Sequence, residues 1–183
     1  LIVTPPLATA TSGEGYATLG ELTDGREIVQ EFTVDDEGLR GVDVLTATYA
    51  RANAGTLTLT LSDAVNETVA ATRVLPAAEV PDNGWLRLEC EPQPRASGRW
   101  RLTIAAQGAR PGQGVTLWTT AGPAADSGSL TVDGAPDPRS IWYRAFATSP
   151  ERVPGATLLW SGDLNLYRNP AAMPRAWFVS SVE

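Results

Sequence analysis

The side chains best suited to chemistry in this sequence are aromatic rings and carboxylates, because histidine is absent. Without it the commonest general base and the commonest metal ligand are missing, and serine–histidine or cysteine–histidine catalysis is excluded. The single cysteine, Cys90, cannot build a zinc site or an intramolecular disulfide. The stretch GARPGQG at 108–114 lacks the Gly-Lys-Ser/Thr ending and the strand-to-helix setting of a phosphate cradle. Six tryptophans remain, and their chemistry is recognition. Sugar rings stack their apolar faces on indoles while polar neighbours bind the hydroxyls.

Three of the tryptophans stand where such a surface would need them. Trp118 is out of phase with Val115 and Leu117, Trp142 lies opposite Ile141 and Tyr143 and beside Arg144, and Trp85 opens a strand after Asp82-Asn83-Gly84. Trp85, Trp118, Trp142 and Arg144 are therefore the candidate carbohydrate contacts. Against this stand packing in the core or between sheets, and contact with a parent protein. Trp100 shares its phase with Leu102 and Ile104 and belongs in the core.

The carboxylates say less. Asp35, Asp36 and Glu37 crowd one turn, and Asp133, Asp137 and Asp163 sit near strand ends. Glycoside hydrolysis needs two carboxyls about 5–9 Å apart in a cleft. Solvated turn acids are the plainer reading, and no catalytic residue is assigned. Asp24, Asp133 and Asp137 are candidate ligands for a structural calcium, which takes hard oxygen donors, although their spacing matches no defined loop. No other cofactor is implied.

The elements that must position these groups are strands. In GTLTLTLSD at 55–63, Leu57, Leu59 and Leu61 alternate with Thr56, Thr58 and Thr60, so one face meets a core and the other water. REIVQEFTV at 26–34 repeats the pattern more loosely, with Gln30 interrupting the face of Ile28, Phe32 and Val34. Residues 39–50 are apolar on both faces, with Val42 and Val44 on one and Leu45, Ala47 and Tyr49 on the other, as a central strand requires. NETVAATRVL at 66–75 reads as an exposed strand, and Pro76 and Pro81 forbid a long element between them. WLRLECEPQ places Cys90 in phase with Leu86 and Leu88, as a buried spectator thiol. RWRLTIAAQ, VTLWTTA, SLTVDG and SIWYRAFAT complete the series. About eight strands joined by turn residues predict an all-β antiparallel sandwich or jelly roll.

Three segments are expected: a lead-in with edge strands over 1–25 (Leu1–Val3 and Tyr16–Leu19), a sandwich body over 26–148, and an extended C-terminal tail over 149–183. Seventeen glycines and fourteen prolines suit short strands and turns. A net charge of -7 disfavours nucleic acid and anionic membrane surfaces as partners. No run reaches the roughly 18 apolar residues of a membrane helix. LIVTPPLATA is not an intact signal peptide and lacks an initiator Met, which suggests a segment of a longer protein. Asn66-Glu67-Thr68 matches a glycosylation acceptor.

The tail sequence DLNLYRNPAAMPRAWFV, through Tyr167, Asn169, Pro170, Pro174, Arg175 and Ala176, resembles a segment of large bacterial multi-pass membrane proteins of the YfhO-like, glycosyltransferase-related class. The body, with LRGVDVLTATYARANAGTLTLTL, DNGWLRLECEPQP and GVTLWTT, is similar to their β-sandwich domain, and through it to galactose-binding-like jelly rolls. The similarity spans roughly residues 20–180. It implies a non-catalytic extracytoplasmic accessory domain, whose partner is the parent membrane protein or another envelope component. It implies no transferase activity, because the catalytic carboxylates of that class lie near its first membrane helices. A carbohydrate-binding module is the alternative expectation and a paired-carboxylate enzyme the third. Within the tail, Arg175 is expected to pair with a carboxylate such as Asp163, and Tyr167 to pack the return of the last strand.

Overall fold

The computed structural model describes residues 8–9, 16–34, 39–93, 98–120, 128–147, 157–161 and 165–168. The chain divides into two compact units, Pro6–Ala147 and Thr148–Glu183 with Leu1–Pro5. The larger unit is an antiparallel sandwich of two six-stranded sheets.

The first sheet is built on β4 (Leu39–Ala47), flanked on one side by β7 (Gly84–Gln93). On the other side β12 (Tyr143–Ala147) and β9 (Thr116–Thr120) share β4 between them, β12 along Leu39–Val44 and β9 at Thr46 and Ala47. Two short strands, β1 (Ala8–Thr9) on β12 and β2 (Tyr16–Thr18) on β9, complete it. The second sheet runs β11 (Ala135–Asp137), β10 (Leu130–Val132), β3 (Glu27–Thr33), β8 (Arg99–Gln107), β5 (Thr56–Asp63), β6 (Val69–Pro76). The smaller unit holds a two-stranded sheet of β13 (Thr157–Ser161) and β14 (Asn165–Arg168).

Side-chain alternation builds the core. Ile28 and Phe32 from β3, Leu57, Leu59 and Leu61 from β5, and Trp100, Leu102 and Ile104 from β8 face Val42, Val44, Leu86, Leu88, Leu117 and Tyr143 of the first sheet. Phe32 and Tyr143 meet between the sheets with ring centroids 4.9 Å apart. Trp100 is buried, as its phase predicts. So is Cys90, whose Sγ–H donates to the Leu39 carbonyl and whose thiol is pushed by burial up to about 11.

Gln30, the polar break in the apolar face of β3, is completely buried. Its Nε2 donates to the carbonyls of Glu31 (2.8 Å) and Ser129 (3.2 Å), and its Oε1 accepts from the Ile141 backbone N–H at 3.1 Å. Ile141 precedes β12, so this amide ties one sheet to the other. Gln30→Leu keeps the volume but strands that N–H, and urea denaturation should show a loss of about 1–3 kcal/mol. A variant as stable as the parent would show that the amide is not a cross-sheet tie.

The structure revises the strand reading in two places. Ten strands lie between residues 26 and 148, and the one that the sequence pattern does not show is Ala135–Asp137, which pairs with Leu130–Val132 instead of forming a loop. The cause is the two-residue connection Asp133-Gly134, both at positive φ (53° and 78°), which closes a tight hairpin. Tyr49 does not continue β4. Tyr49 and Ala50 take left-handed backbone (φ 58° and 53°), so the chain turns and the Tyr49 ring is exposed under the Arg51 guanidinium. The exposed strand read at 66–75 is β6, on the edge of its sheet, and the Asn66 turn precedes it. Leu1–Val3, the turn acids Asp35, Asp36 and Glu37, and the tail positions Asp163, Asn169, Pro170, Pro174, Arg175 and Ala176 lie outside the described residues.

Candidate functional site

Three rows of side chains cross the outer face of the first sheet, because strand register aligns one residue each from β12, β4 and β7. The middle row is Arg144–Asp43–Arg87, set by the pairings Arg144↔Asp43 and Asp43↔Arg87. Asp43 stands between Val42 and Val44, both core residues, so it points away from the core; it is nonetheless only 1% exposed. Arg87 grips it with two hydrogen bonds, Nε to Oδ1 at 2.7 Å and Nη2 to Oδ2 at 2.9 Å. Arg144 Nε donates to the same Oδ2 at 3.0 Å. One buried carboxylate thus holds two guanidinium groups that the solvent barely reaches.

The flanking rows are aromatic. Trp85 lies beside Leu45, whose N–H donates to the Trp142 carbonyl on the other side. Arg144 Cζ sits 4.0 Å from the centroid of the Trp85 ring, and Arg87 Cζ sits 4.2 Å from that of Phe146. Both stacks are close enough for the cation to be held by the ring's negative face. On the far flank Phe146 crosses Gly41, where a side chain would collide with it.

The fork of β9 and β12 on β4 brings the remaining tryptophans to this surface. The Trp142 N–H donates to the Trp118 carbonyl at 2.7 Å, and Thr119 bridges to Ile141. Trp118 alternates with the buried Leu117, and its Nε1 donates to Asn83 Oδ1 at 3.1 Å in the turn that leads to Trp85. Trp85, Trp118, Trp142 and Arg144, singled out from the sequence, are gathered on one face, each half-buried. Asp43, Arg87 and Phe146 were missed. The available signal for Asp43 was a charge inside an apolar run, VDV, which marks a buried ion pair.

The three candidate calcium ligands are not brought together. Asp24 Oδ1 accepts from the Gly108 N–H at 2.6 Å. Asp133 pairs with Arg26 Nε (3.1 Å) and accepts from the Glu27 N–H (2.9 Å), which anchors the hairpin turn. Asp137 is gripped by Arg139 through Nε (2.9 Å) and Nη2 (2.7 Å). Among the described residues no three Cys, Asp or Glu side chains cluster as metal ligands. Each aspartate acts in local structure.

These pairs set an acid limit on stability. The side-chain hydrogen bonds of Arg139 hold Asp137 below the usual carboxylate range, and those of Arg51 do the same for Glu21, helped by the Gly112 N–H. The Thr48 backbone N–H lowers Asp82. A depressed folded-state pKa stabilises above the unfolded value and is lost as pH falls through the folded one. Urea midpoints should therefore be level above about pH 5 and fall below about pH 4. Arg139→Met should make that fall shallower. An equally steep fall in the variant would remove Asp137 from the explanation.

No helix among the described residues is long and apolar enough to cross a membrane. No curated protein matches the sequence. A family profile does match, over residues 4–174, and by it the chain belongs to DUF6212, a family of unknown function.

Proposed function

We propose that the chain is a non-catalytic accessory domain on the extracytoplasmic side of a bacterial cell envelope. It acts through the outer face of the first sheet, as a contact surface for the membrane protein that carries it or for another envelope protein. The gathering of Trp85, Trp118, Trp142 and Phe146 on the face where buried Asp43 holds Arg87 and Arg144 carries this reading. Tryptophan and arginine dominate the energetic centres of protein interfaces, and rigid, preorganised side chains lose little entropy on docking. The galactose-binding-like jelly-roll identity and the YfhO-like parentage belong to the same proposal, and rest on the body strands and the tail motif.

A carbohydrate platform on the same tryptophans is the second reading, favoured by their gathering on one face. It is the weaker one here. One face of Trp85 is already covered by Arg144, and the Trp118 N–H is already donated to Asn83. Blue-native electrophoresis of the detergent-extracted native protein separates the two. Protein contact predicts that Trp118→Ala with Trp142→Ala releases the protein from a larger complex to its own mass. An unchanged complex would overturn contact with a separate envelope protein.

A further inference from the structure

The opposite face of the sandwich carries a groove of about 350 Å³ across β10, β3 and β8. Register again explains its shape. The middle row, Thr131–Val29–Thr103, is short and β-branched and forms the floor. Its neighbours are longer. On one side Ser129, Glu31 and Arg101 make a wall, in which Glu31 pairs with Arg101 (3.0 Å) and Arg99 (3.1 Å). On the other, Glu27 stands beside the Arg26–Asp133 pair.

We propose that this groove binds a neutral polysaccharide, laid across the strands. The floor continues beyond the groove as Thr103↔Thr60 and Thr60↔Thr72, so one row of β-branched residues crosses five strands. At the usual strand spacing it runs about 19 Å, presenting one such side chain every ~4.8 Å, similar to the length of one sugar unit in an extended chain. Threonine methyls and Val29 meet the C–H faces of a sugar, and threonine hydroxyls both donate and accept. The side chains of Glu27, Thr103, Ser129 and Thr131 make no hydrogen bond among the described residues. They are open to a ligand's hydroxyls. Around the groove four carboxylates (Glu27, Glu31, Asp133 and Glu67, which reaches Arg101 at 3.6 Å) face three guanidinium groups (Arg26, Arg99, Arg101), so an acidic polymer gains nothing from it. The site is independent of the tryptophan face.

Affinity electrophoresis of the full chain tests this, in gels cast with β-glucan, xylan, mannan or dextran, and with polygalacturonate as the acidic control. At least one neutral polymer should retard the chain. Thr103→Arg, which fills the floor, and Glu27→Ala, at an exposed position, should each weaken that retardation tenfold or more, while Trp118→Ala leaves it unchanged. Melting temperatures verify that the variants are folded, and if Thr103→Arg is not, Glu27→Ala decides. Retardation by none of the neutral polymers, by polygalacturonate alone, or in a form lost with Trp118→Ala but not with the groove variants, would overturn the proposal.

Discussion

Asp43→Ala is expected to destabilise the domain by about 3–5 kcal/mol, the range for breaking a buried ion pair from one side. The carboxylate is 1% exposed, while the Arg87 and Arg144 side chains are 19% and 14% exposed, so water does little to replace what is lost. Removing it leaves two like charges facing each other across one strand; each stays stacked on an aromatic ring, and Arg87 keeps the exposed Glu89 at 3.7 Å. For a chain of this size the melting temperature should fall by about 10 °C. The effect should be non-additive. In a background where Arg87 and Arg144 are both leucine, the same change should cost far less, because the guanidinium groups that the carboxylate holds are gone. A single Asp43→Ala variant within about 1 kcal/mol of the parent would show that solvent, and not Asp43, balances these arginines.

Gly41→Ala is the second large effect, and its cause is steric. A Cβ at this position would lie 2.3 Å from the Leu88 carbonyl oxygen and 2.8 Å from Phe146 Cζ, on a backbone with φ of +153°. The carbonyl belongs to the neighbouring strand and cannot move aside as a flexible side chain would. A loss of about 3 kcal/mol or more is expected, from strain together with the broken β4–β7 ladder. Phe146→Ala separates the two clashes. It removes the ring but not the carbonyl, so Gly41→Ala should remain strongly destabilising in that background. Full recovery there would mean that only the ring forbids a side chain at position 41.

The alternation of small β-branched and large apolar residues made the sheets readable from sequence. Leu57, Leu59 and Leu61 are buried as their spacing requires, and the double-sided apolar run at Leu39–Ala47 became the central strand of its sheet. Hydrophobic period reports which face a side chain takes but not which strands are neighbours. The division of β4 between β9 and β12 was therefore invisible, and with it the meeting of Trp118 and Trp142. Gln30 and Asp43 were hidden for a related reason. A polar residue on an apolar strand reads as an interruption until its distant partners, 99 and 111 positions away for Gln30 and 44 and 101 for Asp43, are brought beside it. The hairpin at Asp133-Gly134 was legible in principle, since that dipeptide favours a two-residue turn.

Site-specific photo-crosslinking in the native protein tests most directly whether the tryptophan face is a contact surface. A benzophenone amino acid is placed at position 118 and, as a control on the opposite sheet, at position 58. A protein adduct from position 118 and none from position 58 is the predicted result. No adduct from position 118, or equal adducts from both, would contradict it.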